Sequence, residues 1–260
     1  MMARKKQSTN IKKTDIWIPQ CNRFVAFIDI LGFKDRVMRS SISEVSELLL
    51  KMNKFLENSL DLGRDRGFNL MNERREEKEP DNILRFTTFS DSIVIFSKDD
   101  SEIAFSFFCQ KITQFIEECL KNEIPLKGAI AHGEIYVNQS KLLYCGQPLI
   151  DAYLLEEELQ YMGIITHHSI DKYIKDLTQD KEDKAYSVIL PQVKTPLKGG
   201  KLEHRNLYCF FGQSDDETEK ILEKFRTTSS GIARKYVDNS IEVFKAIKEQ
   251  IMPLISELRE

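Results

Sequence analysis

The chain has 260 residues, of which 30% are charged, and a formal net charge of −3. That length can bury one large core or two modest ones, and the near-balance of charge excludes a non-specific nucleic-acid binder, which needs a basic surplus. Five widely spaced cysteines, Cys21, Cys109, Cys119, Cys145 and Cys209, form no CxxC pair, and no stretch has the length of a membrane span. A reduced, cytoplasmic chain with no membrane and no nucleic-acid partner is the simplest account.

Residues 1–20 open basic and polar ("MMARKKQSTNIKKTD") with no apolar segment behind, and read as a flexible leader rather than a secretory signal. "RFVAFIDI" is a buried strand interrupted by one carboxylate, Asp29, with a turn at Gly32 after it. Val45, Leu48, Leu49, Met52, Phe55 and Leu56 share one helical face, which predicts a helix over 43–60. The charged run "DLGRDRGFNLMNERREEKEPDN" reads as a long exposed loop or a frayed helix end. "ILRFTTF" and "SIVIFSK" are strands around "SDS", a hairpin tip carrying Asp91.

A helix follows over 101–121, and "PLKGAIAHGEIYV" is a strand pair or one long bent strand. "PLIDAYLLEEELQY" is a helix with Pro148 in its first turn, where a missing N–H costs least. "GIITHH" is a short strand, and "SIDKYIKDL" a short helix with its serine as cap. "AYSVIL" and "NLYCFF" read as strands flanking a loop, "PQVKTPLKGGKLEHR". From Asp216 the chain is helical, with Ile241, Phe244, Ile247 and Ile251 on one stripe and Pro253 ending or kinking it. The order β-α-β-β-α-β, then further elements, predicts an α+β sandwich: a mainly antiparallel sheet with helices on one face. One domain over 21–212 with a helical extension over 213–260 is the economical division.

Asp29 ends one apolar strand and Asp91 sits between two others, so one sheet can bring the two carboxylates together. Singly, each has an ordinary explanation, Asp29 in a turn and Asp91 in a hairpin. As a pair they repel unless one keeps a proton or a cation lies between them. A hard divalent ion such as Mg²⁺ takes one or two carboxylates and fills its remaining positions with phosphate oxygens. Backbone N–H groups after Gly32 would suit the same phosphates. Set beside the basic residues further on, the pair favours metal.

"FVAFIDILGF", "LRFTTFSDSIVIF", "LKGAIAHGEIYV", "LYCGQPLIDAYLLEEE" and "PLKGGK" resemble, in order, the motifs of class III nucleotidyl cyclases, over most of residues 23–210. The resemblance implies a ferredoxin-like catalytic domain and two Mg²⁺ or Mn²⁺ ions held by Asp29 and Asp91 with the Ile30 carbonyl. It implies that Gly32, Phe33 and Lys34 face the β- and γ-phosphates. Lys127 falls where the family has a phosphate-contacting Arg, and Lys198 where it has a triphosphate-contacting Lys. It also implies a homodimer with active sites built across the interface.

Two departures are plain. The family's helical Asn and transition-state Arg align with Ile150 and Leu154, which cannot supply charge. Asp151 and Tyr153, the polar residues of that helix, have no assigned role. The base-selecting positions align with Thr87 and Leu143, which match neither purine code. That combination is similar to the bacterial pyrimidine cyclases of the Pycsar anti-phage system. It implies conversion of CTP or UTP to a cyclic monophosphate that activates a separate effector. A purine cyclase with an altered pocket, or an inactive cyclase-fold domain that binds nucleotide or a partner, remain alternatives.

No P-loop or G-x-S-x-G elbow is present. The Gly-Gly-Asp/Glu-Glu-Phe signature of diguanylate cyclases is absent as well. His167 and His168, read as strand neighbours, would point to opposite faces, and His132 and His204 stand alone, so a zinc site is not expected.

Overall fold

The computed structural model describes residues 17–60, 83–179, 184–209 and 215–258. The charged run after Leu60 and the first 16 residues of the leader lie outside them. The first strand, β1 (Gln20–Ile30), is followed by a short helix α1 (Phe33–Arg39) and a long one, α2 (Ile42–Leu60). Strands β2 (Leu84–Phe89) and β3 (Ser92–Ser97) form the expected hairpin, and α3 (Glu102–Lys121) leads into β4 (Leu126–Asn138). Ser101 caps α3, its side chain accepting from the Ala104 N–H.

These elements make a ferredoxin-like unit: β1 lies antiparallel between β3 and β4, with β2 outside β3. The apolar run is one long strand, and its far half folds back with β5 (Leu143–Gly146). Helix α4 (Gln147–Glu158) then returns along the sheet to β6 (Gly163–Thr166), which pairs parallel to β4. After α5 (His168–Thr178) and α6 (Lys184–Ile189), β7 (Gln192–Leu197) and β8 (Gly200–Leu207) complete a sheet of order β2-β3-β1-β4-β6-β8-β7. Two helices close the chain, α7 (Asp215–Thr228) and α8 (Gly231–Leu258).

Alternation along the central strands sorts side chains onto two faces. Phe24, Ala26, Ile28 and Ile30 of β1 join Ile130 and Ile164 under α2, α3 and α5 in the largest core cluster. Burying each of these Phe and Ile side chains is worth about 1.5–3 kcal/mol. On the opposite face, Ala129 and Ile165 pack against Val243, Phe244, Ile247 and Ile251 of α8. Helices therefore cover both faces rather than one. The fold is α+β with a mainly antiparallel sheet, and its C-terminal helix supplies a second core.

Three local readings are corrected. "AYSVIL" is helical because Tyr186 and Leu190 share a face one turn apart, and the Leu190 N–H donates to the Tyr186 carbonyl at 2.8 Å. The supposed loop after it is the β7–β8 hairpin, where buried Val193 and Thr195 alternate with exposed Gln192 and Lys194. Pro196 is tolerated because β7 is an edge strand. Helix α5 is capped by His167, whose ring nitrogen accepts from the Ser169 N–H, not by the serine. Helix α8 runs through Pro253 to Leu258. No helix among the described residues is long and apolar enough to cross a membrane.

Candidate active site

Asp29 is the next-to-last residue of β1 and lies opposite Ser92 of β3 on one side and Lys127 of β4 on the other. Cross-strand partners share a face, so these three side chains are neighbours. Asp91 adjoins Ser92 at the hairpin tip, where Ser90 adopts φ 57° to close the turn. Asp91 itself lies in the turn, close enough to the end of β1 for its charge to act on Asp29.

Burial is the largest influence on Asp29, and it raises the carboxyl. The charges of Asp91 and then Glu156 add to the rise, while Lys127 and a hydrogen bond from the Ile30 N–H oppose it. The balance pushes Asp29 up to about 7. A half-buried carboxyl repelled by a second carboxyl is a donor pair that suits a hard cation with open positions for other ligands. Among the described residues no group of three or more His, Cys, Asp or Glu side chains is arranged to hold a metal. The chemistry of the Asp29 and Asp91 carboxylates fits a hard cation whose remaining positions are filled by substrate.

Lys127 is engaged elsewhere. It is buried, its ammonium donating to the Glu156 carbonyl at 2.9 Å and lying 2.8 Å from Glu156 Oε1. Glu156, buried on the inner face of α4, is raised by desolvation and drawn down by Lys127. Lys198 acts on the same carboxyl from the β7–β8 turn, where its own N–H donates to the Glu158 carbonyl at 2.9 Å. Its side chain is exposed.

Gly32 takes φ 77° and ends the strand, so α1 starts one residue later. Phe33 turns into the core while Lys34 stays exposed, so Phe33 can offer a ligand only its backbone. Thr87 pairs with Val94, which pairs with Phe27, two residues from Asp29 and on its face. The Phe27 ring meets Tyr153 of α4 edge-on at 5.3 Å. Leu143 starts β5 at the far end of β4, but the loop before it returns to β2, with Gln139 Nε2 donating to the Phe86 carbonyl at 3.3 Å. Ile150 and Leu154 are exposed, and α4 contains no Lys or Arg.

Sequence reasoning missed two residues of the cluster. Glu156 hides in the run Glu156–Glu157–Glu158, but Pro148, Ala152, Glu156 and Leu159 follow helical spacing and are all buried. Tyr236 of α8, half-buried, has its hydroxyl raised by burial and by the charges of Glu156 and Asp29, with Lys198 opposing. Nothing local to it marks this role. The histidines also differ from expectation. His167 and His168 stand at a helix start with ring centroids 3.9 Å apart, and burial lowers His167, with Asp151 opposing and His168 and His204 adding to the fall. His132 is paired with Asp100 at 3.2 Å.

No family model and no curated protein matches the chain. Among solved structures it is similar to the crystal structure of the catalytic core of a rhodopsin–guanylyl cyclase with converted specificity in complex with ATPαS. The identity is 13%, over 72% of this chain and 96% of that one, with a TM-score of 0.48. A likeness of that degree carries no functional argument.

Proposed function

We propose that this chain is a nucleotidyl cyclase that converts CTP or UTP to the 3′,5′-cyclic monophosphate and pyrophosphate. The observation that carries the reading is that Asp91, in the β2–β3 turn, lies close enough to Asp29 at the end of β1 for its charge to raise that carboxyl, after burial. In the reaction the ribose 3′-oxygen gives up its proton to solvent and bonds to the α-phosphorus, while the α-phosphorus bond to the bridging oxygen breaks and pyrophosphate leaves with that oxygen. Two divalent ions, Mg²⁺ or Mn²⁺, would be held by Asp29 and Asp91 with the Ile30 carbonyl, and would supply charge stabilisation for attack and departure. The backbone after Gly32, Lys34 and Lys198 would bind the outgoing phosphates. Lys127, joined to Glu156, would serve the site by fixing α4 against β4.

Thr87 and Phe27, beside Tyr153, offer a small hydroxyl and an apolar wall for the base. Because Thr87 matches neither purine code, a pyrimidine is the base we assign to it. Exposed Phe89, Ile150 and Leu154 border the site's face and suit a second copy of the chain, giving a homodimer. The cyclase domain would span 21–212 in the cytoplasm, with its product acting on a separate effector in anti-phage defence.

The lack of any Lys or Arg on α4 favours one other reading, a cyclase-fold domain that binds nucleotide without turnover. Incubating the protein with Mn²⁺ or Mg²⁺ and each of ATP, GTP, CTP and UTP, with products read by mass, separates them. A cyclic pyrimidine monophosphate that disappears in Asp91→Asn supports the proposal. A cyclic purine would replace it with a purine cyclase. No product from a folded protein would favour the binding domain.

A further inference from the structure

Helix α8 reaches the candidate site through one glutamine. Gln160, in the connection between α4 and β6, makes three hydrogen bonds to neighbouring elements. Its N–H donates to the Pro196 carbonyl at 3.0 Å. Its carbonyl accepts from Asn239 Nδ2 at 2.7 Å. Its Nε2 donates to the Tyr236 hydroxyl oxygen at 3.2 Å. The next turn of α8 is fixed as well, because Ser240 Oγ accepts from the Met162 N–H at 2.9 Å. The phenol is therefore held in place from outside the helix, and its oxygen already accepts a hydrogen bond. Its own proton is directed elsewhere.

The charged groups that act on this phenol are Lys198, Glu156 and Asp29. Gln160, which holds the phenol, is bonded to Pro196 two residues before Lys198, and Lys198 is bonded to the end of α4, whose Glu156 pairs with the Lys127 opposite Asp29, so the O–H and the ammonium come from different elements to the same corner of the sheet. A polyphosphate bridged to a cation needs that combination: metal for some of its oxygens and donors for the rest. Lysine brings a mobile point charge and the fixed phenol brings direction.

We propose that Tyr236 is a substrate-binding residue whose hydroxyl donates to the phosphate chain of the nucleotide, and that Gln160 is the positioning residue that aims it. The inference rests on the cyclase reading for its substrate, and it makes the C-terminal helix part of the active site rather than an appendage. Removing the hydroxyl takes one charge-assisted hydrogen bond from the phosphates, a loss of about tenfold to a hundredfold in affinity.

The test uses the full chain and inorganic tripolyphosphate with Mn²⁺, followed by calorimetry, beside turnover of whichever triphosphate the wild type accepts. Tyr236→Phe should weaken tripolyphosphate binding and raise KM by that factor, with kcat and melting temperature nearly unchanged. Gln160→Met, which keeps the length but loses the donor, should weaken binding alone and add nothing in the Tyr236→Phe background. Full binding by Tyr236→Phe overturns the proposal, and additive losses overturn the role of Gln160. A wild type that binds tripolyphosphate but turns over no nucleotide sinks the cyclase reading while this inference stands on its binding data. A wild type that binds no tripolyphosphate sinks the inference.

Discussion

Asp29 and Lys127 face one another across the β1–β4 pairing, yet the ammonium of Lys127 turns to Glu156, 2.8 Å away. The one cation opposite Asp29 is therefore shared with a second carboxylate. Its lowering influence on Asp29 is smaller than those of Asp91 and Glu156 in the other direction. That division keeps Asp29 in need of positive charge, which a metal ion would supply. It also uses the lysine to tie α4 to the sheet beside the site.

The metal-free protein should lose stability as pH rises. The folded-state carboxyl of Asp29 is pushed up to about 7, above its usual value of about 3.9 in an unfolded chain. Below the unfolded value both states are protonated and there is no cost. Between the two values the folded state holds the proton more tightly, so the cost of ionising Asp29 grows until pH passes about 7. Asp29→Asn should be more stable than wild type by about 1–3 kcal/mol at about pH 8, after discounting for partial exposure. At about pH 4 the two should melt together. Thermal melts across pH in a chelator check this, and parallel curves would remove the assignment.

Asp29 stands out in the sequence because a charge inside "FVAFIDI" violates the strand pattern and demands a reason. The ferredoxin-like order was legible for a similar cause: strong periodicity fixes each element, and few topologies join them. The β7–β8 hairpin was not, since Pro191, Pro196 and the Gly199–Gly200 pair look like loop chemistry. Those residues in fact make an edge strand and a tight turn. Tyr236 was out of reach for a different reason. Its place depends on Gln160, 76 residues earlier, and no local pattern encodes that contact.

Metal affinity should follow the same ionisation. A cation competes with the proton on Asp29, so its apparent affinity scales with the ionised fraction. With the carboxyl at about 7, Mn²⁺ should bind about tenfold more weakly at about pH 6 than at about pH 8. Asp91→Asn removes a repelling charge and a donor together, so it should flatten this dependence and weaken binding throughout. Calorimetric titration at the two pH values measures it. Affinity independent of pH would place the metal elsewhere.

Gly128 should tolerate no side chain. It follows Lys127 in β4 and faces Ile28, and an added Cβ would meet the Phe27 carbonyl oxygen at 2.6 Å and Ile164 Cδ1 at 2.7 Å. The isoleucine can turn aside, but the carbonyl belongs to the β1–β4 ladder that sets Asp29 opposite Lys127. Overpacking of this kind costs about 1–3 kcal/mol. Gly128→Ala should lower the unfolding free energy by that amount and reduce metal affinity. Gly199→Ala, where nothing lies within 4 Å, should do neither. Equal effects of the two would mean that the ladder has slack.

Breaking the Lys127–Glu156 pair should cost far more than removing it. Both residues are buried, so Lys127→Met leaves the Glu156 carboxylate desolvated without its cation, a loss of about 3–5 kcal/mol. Glu156→Gln should be milder, because the Glu156 backbone carbonyl still accepts from the ammonium. It should also lower the Asp29 carboxyl, since one repelling charge is gone. The double variant Lys127→Met/Glu156→Gln should recover most of the stability lost by Lys127→Met, because no unpaired charge then remains buried. If Lys127 serves only to hold α4, the double variant also keeps tripolyphosphate binding. If its ammonium contacts phosphate when substrate enters, stability returns but binding does not. Denaturant midpoints and tripolyphosphate titration on the same four proteins distinguish an anchoring lysine from a substrate-binding one.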